Sequence, residues 1–125
     1  MPSVLNVDTI ADKAGTGPVA LTKQEAAKAW INLNGNGTIA ARDSLNISGL
    51  TDHGTGEYTV AFSSSFADAN FCTTEAHEYS IDSSHNSSFF SFYTYTASSI
   101  RIELQYNATN YDHEIVSMAS TGDLA

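Results

Sequence analysis

The chain has 125 residues, 42% of them hydrophobic and only 15% charged, with a net charge of -9. That length fits one domain with a short appendage, large enough to bury a core without staples. Nucleic acid and anionic membrane surfaces are disfavoured as partners, since both are bound through clustered Lys and Arg.

The charge is unevenly spread. Residues 1–28 hold Lys13, Lys23 and Lys28 against Asp8, Asp12 and Glu25, and so are neutral. From Ala29 onward only Arg42 and Arg101 oppose eleven acids, so that part carries the whole -9. Ser, Thr and Asn make up roughly three in ten residues, above the ordinary globular mix. Hydroxyl and amide groups thus take the surface role usually held by Lys and Glu, as on many fibre and extracellular β domains.

Cys72 is the one cysteine, which excludes an intrachain disulfide. Its place in an expected strand predicts a buried, inert thiol. The start MPSVLNVD lacks a basic stretch followed by an apolar run, so no secretion signal is expected. No stretch approaches the roughly 18 apolar residues of a membrane span. The expectation is synthesis in a cytoplasm without membrane insertion.

In chain order, residues 5–10 read as a short extended segment, and residues 14–18, AGTGP, mark a turn. Thr22 and Glu25 form a capping box that opens a helix of about two turns through QEAAKA, marginal without a partner surface. From Trp30 the period changes to two. Asn34-Gly35-Asn36-Gly37 predicts a hairpin turn. Residues 44–50 alternate as one strand, and residues 52–56, DHGTG, form the next turn. Tyr58, Val60 and Phe62 share one face. Residues 71–79 are a further strand candidate, 80–88 a polar loop, and 89–96 an aromatic strand. Ile100, Ile102, Leu104 and Tyr106 form the cleanest alternation, and residues 113–118 read as the last strand.

About seven or eight short strands at this spacing predict an all-β fold, an antiparallel, jelly-roll-like β-sandwich. It is expected over residues 29–125. Residues 1–28 are expected to be an extended docking and oligomerisation segment with a short helix.

A family resemblance rests on these residues. The run from Val4 to Trp30 resembles the segment preceding small C-terminal domains in marine and cyanobacterial phage tail fibres. Lys28-Ala29-Trp30-Ile31-Asn32-Leu33-Asn34-Gly35, with Gly37-Thr38-Ile39, is similar to the first strand and turn of those domains. Residues 46–52, NISGLTD, and 54–60, GTGEYTV, resemble their second hairpin, and residues 66–71, FADANF, fit the stretch after that hairpin. The resemblance covers residues 4–71. It implies a homotrimer, a virion location and a role in host attachment. In large fibres the module is a C-terminal tip, whereas here it begins near Met1. The expectation is therefore a complete small virion protein or a fragment of a larger one. Val7, Ile10, Val19, Leu21 and Trp30 are the candidate anchoring and oligomerising residues, through which other virion proteins would also be met.

Catalytic chemistry finds little support. Glu75, His77, Glu78 and Asp112, His113, Glu114 set carboxylates beside imidazoles but match no metal-ligand spacing. Solvated surface groups are the expectation there. No nucleophile elbow occurs. The glycines at 35, 37, 54 and 56 are turn glycines, not a phosphate cradle. The expectation is no enzyme activity, no cofactor and no metal. In the aromatic strand, Phe90 and Phe92 are expected on one face, with Phe89, Tyr93 and Tyr95 on the other. One face is core; the other is a subunit interface or a sugar-stacking surface. Asp82, His85 and Asn86 in the preceding loop, with Tyr93 and Tyr95, are the candidate receptor surface for a host glycan or protein. The competing readings are a capsid decoration or cement protein without a receptor, a free lectin-like module, and a small hydrolase.

Overall fold

The computed structural model of the chain describes residues 26–77, 88–106 and 108–125. They form nine strands: β1 Ala29–Asn34, β2 Ala40–Leu45, β3 Ile47–Gly54, β4 Glu57–Phe62, β5 Cys72–His77, β6 Ser88–Thr96, β7 Ser99–Tyr106, β8 Thr109–Asn110 and β9 Val116–Thr121. All pairings are antiparallel. One sheet has the order β2-β1-β9-β5; the other has the order β3-β4-β7-β6, with β8 paired to β7.

The inward faces of the two sheets meet in one core. Ala29, Ile31 and Leu33 of β1 and Val116 and Met118 of β9 face Tyr58, Val60 and Phe62 of β4 and Ile100, Ile102 and Leu104 of β7. Each comes from a period-two run, so burial on one face follows from the pleat. A fully buried side chain of this class contributes about 1.5–3 kcal/mol. The rings of Phe62, Phe66 and Phe71 close one side of the core. Phe66 stacks on Phe71 at 4.2 Å, and Phe71 meets Tyr95 at 4.9 Å.

Both expected hairpins form, but their turns differ: β1 joins β2 through residues 35–39, and β3 joins β4 through Thr55-Gly56, so Asp52, His53 and Gly54 of the expected second turn belong to β3. Several other expectations are corrected. Residues 44–50 are not one strand. The chain turns at Asn46, whose φ is +59°, and passes from one sheet to the other. The period-two pattern runs through this corner because β2 and β3 are edge strands with little buried, so no break in hydrophobicity marks it. Cys72 is exposed, because it lies on the outward side of β5, opposite Thr121. The last strand is Val116–Thr121 rather than 113–118. His113 precedes it in a loop and is fully buried, not solvated. It packs against the rings of His77 at 5.1 Å and Tyr111 at 5.4 Å. The capping box lies outside the described residues. Of the QEAAKA helix, Ala26 to Lys28 are not helical and Ala29 already belongs to β1. Residues 78–87, which hold most of the expected loop, also lie outside them.

Candidate recognition surface

The outward face of the second sheet concentrates polar chemistry. β4 and β7 pair so that Thr59 faces Arg101 and Glu57 faces Glu103. Two carboxylates directly opposite repel. The sheet answers this with three donors. Arg101 Nη2 donates to Glu57 Oε2 at 2.6 Å. Asn110 Nδ2, brought in by β8, donates to Glu57 Oε1 at 2.9 Å. Gln105 Nε2 in turn donates to Asn110 Oδ1 at 3.2 Å. Both oxygens of Glu57 are thereby engaged, while none of these donors reaches Glu103.

Tyr93 completes the group. The Arg101 guanidinium lies 4.9 Å from its ring centroid, a cation–π arrangement worth roughly 0.5–1 kcal/mol at an exposed site. The ring is 66% exposed. Tyr93 is also the extra residue of a β-bulge: Phe92 pairs with Ile102 and Thr94 with Arg101. Phe90 and Phe92 share a face as expected, but the bulge moves Tyr95 onto that face. Tyr95 pairs with Ile100 and turns inward against Phe71 and Phe92, while Tyr93 alone points out. A β-bulge re-aims a side chain in this way without breaking the strand. Tyr93 and Tyr95 therefore do not share a face. Burial also raises the Tyr95 hydroxyl pKa above its ordinary value, partly offset by a hydrogen bond with Thr73.

A row of hydroxyls flanks the cluster: Thr51, Thr59 and Thr94 lie in register across β3, β4 and β6 on either side of Arg101. The Thr59 hydroxyl is 2.8 Å from His53 Nε2. The arrangement offers an aromatic face, one constrained carboxylate, a second carboxylate and oriented amide and hydroxyl groups. Such a set stacks on the C–H face of a sugar and exchanges hydrogen bonds with its hydroxyls. Among the described residues no group of three His, Cys, Asp or Glu is disposed to hold a metal ion.

Of the candidate residues read from the sequence, Tyr93 stands at this surface and Tyr95 beneath it. Trp30 lies on the outward face of the other sheet. Val7, Ile10, Val19, Leu21, Asp82, His85 and Asn86 lie outside the described residues. Glu57, Arg101, Glu103, Gln105 and Asn110 were not singled out by sequence. The available signal was the outward position of Arg101, Glu103 and Gln105 between Ile100, Ile102 and Leu104, in a domain with only two Arg. Among the described residues, one hollow of about 230 Å³ lies beside Asp68, Phe71 and Asp123, and another of about 410 Å³ lies on the outward face of the first sheet.

No protein-family model, curated protein or solved structure matches the chain.

Proposed function

We propose that the chain is a non-catalytic attachment protein of a virion, of tail-fibre type, built as a jelly-roll-like β-sandwich that displays the Tyr93 surface to a host glycan. The observation that carries this reading is the exposed Tyr93 ring, held under Arg101 beside Glu57 and Glu103. The sequence resemblance to phage fibres supplies the virion setting, the homotrimer and the docking role of residues 1–28. Chain crossing supports the finer topology. The connections β2–β3, β4–β5, β5–β6 and β8–β9 each pass between sheets, as jelly-roll connections do.

The surface is open rather than a cleft, so a single copy would hold a sugar weakly. Several copies on one particle would raise the apparent affinity by about 10²–10⁴ through multivalency. A homotrimer suits that need.

The test is retention of the full chain on susceptible cells and on a panel of immobilised glycans. Tyr93→Ala should lower retention at least tenfold while leaving the thermal midpoint nearly unchanged, since Tyr93 buries little. Equal retention of the two proteins would refute the assigned surface. A receptor-free cement protein would show no retention of either.

A further inference from the structure

The outward face of the sheet β2-β1-β9-β5 has a different composition. Its first row is Leu45, Trp30, Ala119 and Thr74, and its second is Asp43, Asn32, Ser117 and Ala76. Asp43, on the edge strand, is the one acid at these eight positions. Trp30 and Leu45 are the only large side chains, and Leu45 is 48% exposed. Beside Trp30 lies the shallow hollow of about 410 Å³, floored by Ala119, Ser117, Ala76 and Thr74, with Glu75 of the edge strand also in its lining.

We infer that this face is the contact between copies of the chain, with the Trp30 indole of one copy seated in the small-residue hollow of the next. The inference rests on the oligomeric reading above and names its surface. Three observations favour a second copy as occupant. The chain carries -9, so copies repel wherever acids meet; among the described strand residues this face meets acids on its two edge strands, Asp43 on β2 and Glu75 on β5, whereas the opposite sheet presents Glu57 and Glu103 on its central strands. Projection and hollow lie side by side on one surface, which is the self-complementarity a symmetric homo-oligomer needs. Depletion of charge around a central Trp also matches the core of a protein–protein interface. The two sheets share one core, so their outer faces point in opposite directions. Packing through Trp30 leaves every Tyr93 surface facing solvent, the display that multivalent attachment requires.

Trp30 is the one Trp in the chain, so its emission reports the contact directly. The experiment follows the mass of the full chain by sedimentation, and its Trp fluorescence, through a dilution series. The expected result is an oligomer whose emission moves to longer wavelength at the concentration where its mass falls. Ala119→Arg should weaken association about thirtyfold or more, the scale of an interface hot spot, and should show the dilute spectrum throughout. Thr74→Arg, on the edge strand, repeats the test if Ala119→Arg fails to fold. Thr94→Arg on the opposite sheet should change neither readout.

An oligomer that survives both Ala119→Arg and Thr74→Arg would overturn this assignment and leave the oligomeric reading standing. A wild-type monomer at every concentration would sink both. If deletion of residues 1–25 shifts the emission of a chain whose mass is constant, the N-terminal segment covers the face and the second copy is excluded.

Discussion

The Tyr58 hydroxyl lies 2.6 Å from Asp112 Oδ1, joining the middle of the core to the loop that leads into β9. The same carboxylate oxygen accepts the Gly56 N–H at 2.7 Å. The Tyr58 hydroxyl also stands 2.8 Å from the Gly35 carbonyl oxygen, sharing its one proton between two acceptors. Three connections at one end of the fold, β1–β2, β3–β4 and β8–β9, are thus tied together by one buried phenol and one carboxylate.

Tyr58→Phe should therefore destabilise the fold by about 1.5–3 kcal/mol, the range for a hydrogen bond to a charged group, measured by urea unfolding at neutral pH. Its pH dependence is a second signature. Burial, then the hydrogen bond and charge of Asp112, raise the Tyr58 pKa well above its ordinary value. A Tyr in the unfolded chain titrates near 10. The folded state thus keeps a proton that the unfolded state releases. This contribution is whole below about pH 10 and is lost as pH rises from there through the folded pKa. Tyr58→Phe should lack that part of the alkaline loss. Parallel stability curves for the two proteins above pH 10 would contradict the assignment.

Gly35 sits under the same latch. A Cβ there would stand 2.7 Å from the His113 carbonyl oxygen and 2.8 Å from the Tyr58 hydroxyl. The carbonyl is backbone and cannot rotate away, so Gly35→Ala should cost about 1–3 kcal/mol, as overpacking does. Gly49 has open space around it, and Gly49→Ala should stay within about 0.5 kcal/mol of wild type. Thermal melts of the pair check the contrast; similar midpoints would count against the close approach.

Asn46 turns the chain between the sheets. Its Oδ1 accepts the Ser64 N–H at 2.7 Å and its Nδ2 donates to the Ser64 carbonyl oxygen at 3.0 Å. Asn tolerates its left-handed φ of +59° better than other residues with a Cβ. Asn46→Gly should cost about 1 kcal/mol by losing the side-chain bonds while easing the backbone. Asn46→Ala should cost roughly 1–2 kcal/mol more, because it adds left-handed strain. The order Asn, Gly, Ala in chemical unfolding is the expected outcome; Ala at least as stable as Gly would refute it.

Arg101 neutralises one of two facing carboxylates, Glu57. Removing it as Arg101→Ala should cost about 1 kcal/mol, the upper range of a partly exposed ion pair, and leave Glu57 facing Glu103. In a Glu103→Gln background the same substitution should cost several tenths of a kcal/mol less, since the repulsion across the pair is gone. Raising the salt concentration should shrink the difference. A double-mutant cycle with no coupling at low salt would show that Glu103 does not feel the exchange.

Much of the β pattern was legible in the residues themselves. Ile100, Ile102 and Leu104 alternate with charged neighbours, and that alternation alone places them inward. Gly37 and Gly56, at a φ of +70° each, sit in turns that the Asn-Gly and Gly-Thr-Gly runs announce. Three features were not legible. His113 looked like a surface group because polar neighbours surround it in sequence, yet the loop ahead of β9 folds it over the core, against His77. Cys72 looked buried because free thiols usually are, yet it opens an edge strand. Tyr93 and Tyr95 are two apart and so were expected on one face, until the bulge that pairs Thr94 with Arg101 moved them to opposite faces.

Local chemistry thus determined the faces of the core strands and the approximate places of the hairpins, because each depends on neighbours in sequence and on the period-two pleat, and composition alone gives the uneven charge, zero over residues 1–28 and -9 from Ala29 onward. Tertiary structure decided where the chain changes sheet, which tyrosine meets solvent, and that Glu57, Arg101 and Asn110 form one cluster while Trp30 stands on the opposite face. Those outcomes depend on strand register and on contacts between residues far apart in sequence, such as Tyr58 and Asp112, 54 positions apart. Register is a property of the paired strands, and neither strand carries it alone.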